Sequence, residues 1–553
     1  MRSKIISSLE KCFHDDEFAA PKELTVDTML KNELYSFQVC YDMDTIVEDK
    51  KIVFFHVESP LADTVKLYQV KSIPSLLPVV RGITDNNYLR TTAGLYPDLL
   101  EPINPQTRLP AHNILQAVWV ELDPRDTVPA GTYPVDCVFT DEAGQQIARN
   151  RLTLQILDAC LPEQKLIYTQ WFYTDCLMQY YGTSAFDEDH WRIIENFMTN
   201  ARKYGMNMIL TPVLTPELDT YVGGERPTTQ LVDVYLNQGV YSFDFSKLGR
   251  WVDLCDKVGI QYLEINHFFS QWGATACPKV IATVDGVEKQ IFGWDTPSDG
   301  DAYREFLYAL IPAMLSFLKA KNGSDKRCWF HISDEPNEKQ LEQYRKVSTM
   351  IAPLVKGYPV IDALGNYAFY EQGIVKKPVP STYFIEPFLE NKVPNLWCYH
   401  CGEAEGISNR FFAMPSARTR ILGVQLYKFD IEGFLHWGYN FYYNQFSYHP
   451  INPFLCSDGE CFSASGNTYS VYPGLDGQPW PSLRQVVFHE GLQDLRLLKL
   501  CEQLCGRERT MAILEDGIAP ITFKQYPKQM DWLLELRKRL HKAIEEKLLK
   551  IGE

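Results

Sequence analysis

The chain lacks the long apolar stretches and the excess of positive charge that mark membrane proteins and general nucleic-acid binders. No window reaches the roughly 18 apolar residues of a transmembrane helix. Lys and Arg number 54 and Asp and Glu number 70, so the formal net charge of the 553 residues is −16. Affinity for nucleic acids and for anionic membrane surfaces depends on clustered positive charge. We therefore expect neither nucleic acid nor a membrane as a partner.

The N-terminus also lacks the unbroken apolar segment of about 7–15 residues that a secretory signal contains. Only Ile5 and Ile6 are adjacent apolar residues there, and Ser7 and Ser8 follow at once. We therefore expect a cytoplasmic protein. Its 14 cysteines are scattered without a dense pattern, which in that compartment predicts reduced, partly buried thiols.

A glycine-rich nucleotide fingerprint is absent as well. Cys398 and Cys401 form a CxxC with His400 between them, and such a pair can be a redox centre or half of a zinc site. No second CxxC accompanies it, and no thioredoxin-like pattern surrounds it. We therefore predict no cofactor and no metal, and interpret the two cysteines as thiols at a strand end.

Residues 1–160 are predicted to form a β-sandwich that supports a second, chemical domain. Short segments of alternating polarity, separated by turn residues, are typical of such a domain. Neither a phosphate-binding loop nor a charge cluster stands out in this part. The predicted strands are Glu33–Tyr41, Lys51–Glu58, Gln116–Leu122, Thr132–Thr140 and Arg151–Leu157.

In residues 161–505, short apolar strands alternate with longer helical segments, which is the pattern of a βα repeat. Eight units predict a (β/α)8 barrel with inserted loops, and an open doubly wound sheet is the alternative. Residues 506–553 are predicted to be a helical segment packed on the barrel. The whole chain is thus expected to be a multidomain protein of the α/β plus β class. The predicted barrel strands are Leu166–Phe172, Asn207–Val213, Gly259–His267, Cys328–Ser333, Val360–Leu364, Thr382–Ile385, Leu396–His400 and Gly433–Gly438.

The fourth predicted barrel strand ends in two adjacent carboxylates, Asp334 and Glu335, followed by Pro336. Active sites of barrels lie at the carboxyl ends of the strands. Neighbouring carboxylates repel each other when both are ionised, so such a pair supplies an acid and an anion in one place, as glycoside hydrolysis requires. We expect Pro336 to hold Glu335 extended and to let the chain twist both carboxylates toward the mouth. The alternative is a helix-capping Asp334 beside a solvated Glu335.

Aromatic, His and Asn side chains recur at the ends of the other predicted strands. Trp and Tyr offer an apolar face to a sugar ring and a polar edge to its hydroxyls. Any one of these residues alone is more often part of a core, but their recurrence at one end of the strands predicts a sugar site. The candidate substrate-binding residues are Trp171, Asn266, His267, Trp397, His400, Trp437, Tyr439 and Asn440.

Several segments of the chain resemble glycoside hydrolase family 123, the β-N-acetylgalactosaminidases. The order of sandwich, barrel and C-terminal segment also matches, and the resemblance extends from about residue 30 to residue 500. The segments that carry it are 331–336 (HISDEP), 433–440 (GFLHWGYN), 472–474 (YPG), 482–484 (SLR) and 490–494 (EGLQD).

The resemblance implies a substrate-assisted, retaining hydrolysis of a terminal β-linked N-acetylgalactosamine or a related 2-acetamido sugar. The acetamido oxygen of the substrate attacks the anomeric carbon and forms an oxazolinium-like intermediate. Glu335 matches the general acid/base, and Asp334 matches the carboxylate that orients the acetamido N–H. An internal nucleophile has a high effective molarity, and a cationic intermediate favours a neighbouring anion. The implied partner is an oligosaccharide or glycoconjugate.

Two alternatives remain open at this point. In the first, Glu386 is a protein nucleophile and the chain is an ordinary retaining glycosidase, for which the carboxyl groups of Glu335 and Glu386 should be about 5–5.5 Å apart. In the second, the chain binds carbohydrate without catalysis, since a fold does not determine a function.

Overall fold

The N-terminal part of the chain is built from strands. The computed structural model describes residues 1–43, 51–80, 85–125, 127–403 and 405–552. Its first ten strands form two five-stranded sheets with the orders β1-β3-β8-β5-β6 and β2-β10-β9-β4-β7. These strands are β1 Arg2–Ser7, β2 Val26–Leu30, β3 Tyr35–Asp42, β4 Lys51–Glu58, β5 Val65–Ser75, β6 Gly94–Ile103, β7 Leu109–Ala111, β8 Gln116–Leu122, β9 Gly131–Thr140 and β10 Gln146–Leu157.

The two sheets share one hydrophobic core. Phe37 and Val118 enter it from the first sheet, and Phe55 and Phe139 enter it from the second. The rings of Tyr41 and Phe139, one from each sheet, lie 5.0 Å apart. Burying each side chain of this kind stabilises the fold by about 1.5–3 kcal/mol. Each of the five segments predicted from alternating polarity contributes a strand to these sheets, and β4 and β8 have the predicted bounds.

Short strands and helices alternate in the rest of the chain. The strands are β11 Ile167–Gln170, β12 Met208–Thr211, β13 Asp233–Asn237, β14 Val240–Asp244, β15 Tyr262–Ile265, β16 Val280–Val284, β17 Val287–Phe292, β18 Cys328–Phe330, β19 Ile361–Leu364, β20 Lys377–Pro380, β21 Trp397–His400, β22 Gly433–His436, β23 Val471–Pro473 and β24 Pro479–Pro481. The helices are α1 Thr174–Tyr181, α2 Glu188–Lys203, α3 Ser246–Val258, α4 Asp301–Ala320, α5 Leu341–Ile351, α6 Ala368–Glu371, α7 Glu386–Glu390, α8 Ser416–Arg420, α9 Leu422–Lys428, α10 Leu483–Cys505, α11 Arg507–Leu514 and α12 Met530–Gly552.

Eight of these strands run parallel to their neighbours, and their carboxyl ends lie on one side. Pairing joins β12-β15-β18, β19-β20 and β21-β22-β11. Isolated parallel bridges link Phe330 to Val360 and Ser381 to Tyr399, so the groups continue into one another. Between β11 and β12, the backbone N–H of Asn207 donates to the carbonyl of Tyr168 at 3.1 Å. The strands β13, β14, β16 and β17 form a separate four-stranded sheet inserted between these elements.

The sixth predicted strand, Thr382–Ile385, is wrong. The strand at this place is β20, Lys377–Pro380, and residues 382–384 form a turn after it. Prolines 378 and 380 argue against a central strand, because proline cannot donate to a ladder. β20 tolerates them because it pairs fully only with β19 and makes a single bridge toward β21. The other seven parallel strands lie within their predicted ranges.

Two of the segments that carry the family resemblance fix the sheets to the second part of the chain. Asp98 on β6 accepts hydrogen bonds from Arg484 Nε at 2.8 Å and from the hydroxyl of Tyr472 at 2.6 Å. All three side chains are buried. The C-terminal helix α12 packs on α10 through buried apolar residues that include Leu536 and Leu540. Among the described residues, no helix combines the length and the apolar character needed to cross a bilayer.

Candidate active site

A cavity of about 580 Å³ opens at the carboxyl ends of the parallel strands, and Asp334 and Glu335 lie in its wall. Both follow β18, the strand that the sequence predicted to end in this pair. Seven of the other seventeen wall residues are aromatic and four are aliphatic, so the wall is mainly apolar with a few polar groups. Its aromatic residues are Trp171, Tyr173, Trp272, Tyr399, Trp437, Phe446 and Phe462.

The backbone at the pair is strained. Glu335 has a φ of +39°, in the left-handed region, and the neighbouring loop residue Trp272 has a φ of +54°. The backbone N–H of Trp272 donates to the carbonyl of Asp334 at 2.9 Å, so the two loops hold each other. The expectation that Pro336 keeps Glu335 extended is therefore wrong, because this contact between loops overrides the local preference. Strain of this kind costs about 1–3 kcal/mol and persists where the surroundings impose it.

Asp334 is half-buried in the wall and carries an unusual charge environment. Its carboxylate makes no side-chain hydrogen bond to any residue in the part of the chain that the structure describes. Burial and the adjacent charge of Glu335 raise the pKa of Asp334 well above its usual range, while the charge of His331 acts in the opposite direction. Asp334 therefore resists carrying a negative charge beside that of Glu335.

Glu335 is oriented by Tyr399, whose hydroxyl donates to Glu335 Oε1. Burial and the charge of Glu335 raise the pKa of Tyr399 well above its usual range. The hydroxyl consequently keeps its proton and remains a donor. One carboxylate oxygen of Glu335 is thus fixed, and the other is available to a ligand.

A buried charge network lies behind the pair. His331 Nε2 is 2.8 Å from Glu264 Oε1, and His331 Nδ1 is 3.4 Å from Asp362 Oδ1. Burial alone would lower the pKa of His331, but its two carboxylate partners raise it to about 9. Glu264 Oε1 also accepts a hydrogen bond from Trp171 Nε1 at 2.9 Å. The imidazolium and its carboxylates therefore hold one aromatic wall of the cavity.

His267, His331 and Asp362 offer ligand atoms within 4.8 Å of one another, which is close enough for a shared metal ion. Both ring nitrogens of His331, however, face carboxylates, so this ring has no lone pair free for a metal. His267 stacks on it with the ring centroids 4.2 Å apart. Burial and the charge of His331 hold the pKa of His267 well below its usual range. The donor set fits a charged histidine between carboxylates better than a metal site.

Of the eight candidate sugar-binding residues, Trp171 and Trp437 lie in the cavity wall. Trp437 is held there by the next residue, Gly438, which packs directly against the loop at Thr468. A Cβ atom at position 438 would lie 2.3 Å from the Thr468 carbonyl oxygen, so only glycine fits. This close approach gives a physical reason for the Trp-Gly-Tyr-Asn segment in the sequence.

Trp397 and His400 do not line the cavity, contrary to expectation. Trp397 begins β21, at the end of the strand away from the mouth, and its ring packs against Trp329 with centroids 5.1 Å apart. His400 ends the strand, but alternation turns it to the face opposite Tyr399, where it packs against Phe434. Tyr399, between the two, is the residue that reaches the site.

The remaining four candidates lie behind the cavity wall and do not line it. Asn440 receives a hydrogen bond from the backbone N–H of Tyr173 and donates to its carbonyl, both at 2.9 Å. The hydroxyl of Tyr439 points toward helix α2, within hydrogen-bonding distance of the Phe197 carbonyl at 2.9 Å. Asn266 Oδ1 accepts from a backbone N–H at 3.0 Å in the loop after β12, and His267 lies under the wall. All four are buried, and the polar groups of Tyr439, Asn440 and Asn266 bond within the protein, whereas neither ring nitrogen of His267 has a hydrogen-bond partner among the described residues.

Sequence reasoning missed several residues of the wall. Tyr399 was detectable, because it stands at a predicted strand end. Asp219 was not, because it lies in the long insertion after β12 and has no local pattern around it. Its Oδ2 accepts from the backbone N–H of Phe446 at 3.2 Å, and burial raises the pKa of Asp219 to about 6. The other such residues are Trp272, Phe446, Phe462 and Asn467.

Glu386, the alternative nucleophile, is not part of the cavity wall. It begins helix α7 and forms an ion pair with Lys524 at 3.5 Å.

Neither cysteine of the CxxC forms a disulfide within the described residues. Cys401 lines the cavity and Cys398 is buried in β21. Burial raises the pKa of both thiols, so neither is an activated thiolate.

Comparisons with known proteins show what the chain is similar to. A model of the glycoside hydrolase family 123 catalytic domain matches residues 171–501. A solved structure of a family 123 glycoside hydrolase from Clostridium perfringens matches with a TM-score of 0.74 and 13% identity over 100% of both chains. That structure was described for its details of glycolipid glycan hydrolysis. Beta-glucuronidase 3 of Bacteroides uniformis matches with a TM-score of 0.30 and 11% identity over 88% of this chain and 51% of its own. No curated protein matches the sequence.

Proposed function

Since the chain belongs to glycoside hydrolase family 123, we propose that it removes a terminal β-linked N-acetylgalactosamine, or a related 2-acetamido sugar, by substrate-assisted catalysis with retention of configuration. The observation that carries the proposal is the position of Asp334 and Glu335, side by side in the wall of an aromatic cavity. The Clostridium perfringens enzyme of the same family acts on glycolipid glycans. A glycan, free or attached to a lipid or protein, is therefore the proposed substrate class.

We also propose how the chain is divided into domains. We infer that residues 1–160 form a β-sandwich, that residues 161–505 form a (β/α)8 barrel and that residues 506–553 form a helical C-terminal segment. The common core of the two N-terminal sheets supports the first part. The linked parallel strands from β11 to β22, the last of which pairs with the first, support the second. In this architecture the cavity lies at the mouth of the barrel, where such proteins place their active sites.

In the first step, the acetamido oxygen attacks the anomeric carbon while the bond from that carbon to the leaving oxygen breaks. Glu335 gives its proton to the leaving oxygen. Asp334 accepts a hydrogen bond from the acetamido N–H and stabilises the positive charge of the resulting oxazolinium ion. The charge of that ion counteracts the burial and the repulsion by Glu335 that raise the pKa of Asp334.

In the second step, water attacks the anomeric carbon on the face that the leaving group has vacated. Glu335, now a carboxylate, takes a proton from this water, and the bond between the anomeric carbon and the acetamido oxygen breaks. The product keeps the β configuration because the carbon has been inverted twice. Tyr399 holds one oxygen of Glu335 through both steps.

The cavity suits a single amino sugar. Its volume of about 580 Å³ is within the range of about 300–1,000 Å³ that is usual for small-molecule sites. Trp171 and Trp437 offer apolar surfaces for the ring or the acetamido methyl group, and the half-buried Asp219 offers a carboxyl for sugar hydroxyls.

The geometry favours this proposal over its alternatives. A protein nucleophile at Glu386 is disfavoured, because this residue pairs with Lys524 and is not in the cavity wall. A purely binding role is disfavoured by the strained backbone at Glu335 and by the Asp334 carboxylate, which lacks a hydrogen-bond partner among the described residues. Binding alone does not require such a costly arrangement.

A panel of aryl β-glycosides tests the proposal. The proposal predicts turnover of the N-acetylgalactosaminide or another 2-acetamido glycoside, and none of the matching glycosides with a 2-hydroxyl. A stable thiazoline analogue of the intermediate should inhibit competitively. Turnover of 2-hydroxy sugars together with a covalent glycosyl-enzyme on Glu386 would overturn the mechanism, and binding without any turnover would overturn the enzyme assignment.

A further inference from the structure

A second, more open cavity of about 590 Å³ lies beside the first, and Glu335 and Tyr399 belong to the walls of both. The two cavities therefore meet at the proposed acid/base. The first is enclosed by aromatic rings, whereas the second is lined mainly by polar loop residues that include Asn337 and Asn366. One large apolar side chain, Phe384, stands among them.

The position of Glu335 determines what the second cavity faces. The acid must touch the glycosidic oxygen, which joins the terminal sugar to the rest of the glycan. With the terminal sugar in the closed cavity, the remainder of the glycan has to leave past Glu335. The open cavity lies on that side and is continuous with the acid/base, so it is positioned to receive the first sugar of the leaving group.

Phe384 has the features of a stacking platform. It lies in the turn after β20, and its backbone N–H donates to the Ser381 carbonyl at 2.9 Å. One side of its ring rests on Gly365, where a Cβ atom would lie 3.2 Å from Phe384 Cδ2. The side chain is nevertheless 45% exposed. A ring that rests on Gly365 and is otherwise partly exposed is suited to the apolar face of a sugar.

We propose that Phe384 and the open cavity form a subsite for the leaving-group sugar, so that the enzyme prefers oligosaccharides to glycosides with a small leaving group. This inference rests on the proposed function, because it uses Glu335 as the proton donor. Binding at a subsite that is realised in the transition state raises turnover as well as affinity.

Paired substrates test the subsite. The methyl β-glycoside and a β-linked disaccharide of the same terminal sugar share the closed cavity, but only the disaccharide reaches Phe384. Phe384→Ala should lower kcat/KM for the disaccharide about tenfold and for the methyl glycoside by less than about twofold. Phe384→Trp should preserve the preference. Gly365→Ala should weaken it moderately, because the added methyl group displaces the ring.

Tyr308→Ala is the matched control, since Tyr308 is also 45% exposed and lies on helix α4, outside both cavities. It should leave both substrates unchanged, and thermal midpoints should show that all variants are folded. Equal losses on both substrates, or no loss with Phe384→Ala, would overturn the subsite while leaving the proposed function intact. Absence of turnover of every 2-acetamido glycoside by the unaltered enzyme would overturn the proposed function, and the subsite with it.

Discussion

Two carboxylates of the molecule, Asp494 and Asp334, differ in what surrounds and neutralises them. Asp494 on helix α10 lies 2.6 Å from Arg420 Nε and also pairs with Arg537, and the neighbouring Glu490 lies 2.7 Å from Arg420 Nη1. Burial alone would raise the pKa of Asp494, but the two arginines hold it below its usual range. Asp334 in the cavity has no such partner, and its pKa is raised. The pKa of an aspartate side chain is thus lowered at position 494 and raised at position 334.

This difference distinguishes a carboxylate that stabilises the fold, Asp494, from a carboxylate that is proposed to act in the chemistry, Asp334. Arg537, on the C-terminal helix, also pairs with Glu33 near the N-terminal sheets. The charges around Asp494 therefore tie three parts of the chain together and leave little for a ligand to bind. The carboxylate of Asp334 has no cation at hydrogen-bonding distance among the described residues, which is consistent with the proposed role of binding the acetamido N–H of a substrate.

The largest expected effect is on chemistry at Glu335. Glu335→Gln keeps the shape but removes the transferable proton, and we expect turnover of a natural glycan to fall by up to about 10⁴-fold. Substrates with very good leaving groups should lose much less in the first step, because they need little protonation. Glu386→Gln is the control and should retain full activity. Equal losses across leaving groups would show that Glu335 is not the acid.

The second effect, on stability, should come from the other carboxylate group. Asp494→Asn leaves Arg420 and Arg537 buried with less negative charge, and we expect the free energy of unfolding to fall by about 3–5 kcal/mol. Chemical denaturation measures the loss. The variant that remains folded should keep its kcat. An unchanged stability with reduced kcat would mean that this cluster acts on the chemistry.

The same group makes a prediction about pH. The pKa of Asp494 is lower in the folded chain than the value of about 4 in an unfolded one. The stability that Asp494 contributes is therefore fully present above pH 4 and is lost as the pH falls through the folded pKa. Denaturation midpoints between pH 7 and pH 3 should decline less steeply for Asp494→Asn than for the unaltered chain. Parallel declines would exclude Asp494 as a source of the acid sensitivity.

The third effect concerns Asp334. Asp334→Asn keeps the shape but removes the charge that stabilises the cationic intermediate, and we expect turnover to fall by about 10²–10³-fold. A thiazoline analogue should bind this variant much more weakly than the unaltered enzyme. Because Asp334 has no cationic partner at hydrogen-bonding distance, stability should not fall as it does for Asp494→Asn. Full thiazoline affinity in the variant would count against the proposed role.

The position of Asp334 and Glu335 in the cavity wall was predictable from sequence, because it depends on local order along the chain. An apolar strand followed by Asp334 and Glu335 places both at a strand end, and seven of the eight expected parallel strands confirm that pattern. The sequence pattern placed β20 at the wrong residues, because Pro378 and Pro380 are unusual in a strand.

The rest of the wall depends on information that a linear pattern does not contain. A shift of one residue decides between Tyr399, which reaches the cavity, and His400, which does not. Asp219 and Phe446 come from separate insertions and meet only in the folded chain. The recurrence of Trp and Asn at strand ends predicted a site, but the buried Asn266 and Asn440 serve the loops that build it.

The smallest expected effect compares glycine with alanine at the two groups. Glu335→Gly and Glu335→Ala both remove the carboxylate, but the φ of +39° strains only a residue with a Cβ atom. We therefore expect the glycine variant to be more stable by about 1 kcal/mol. At Asp494, inside helix α10, the order should reverse, since glycine is worse than alanine in a helix by about 1 kcal/mol. The two differences are measured by chemical denaturation of four variants. Because each comparison removes the same carboxylate twice, the charge cancels and only the backbone remains. If alanine were the more stable variant at both positions, the backbone at Glu335 would not be strained. The contrast between Asp334 and Asp494 would then depend on their charge environments alone.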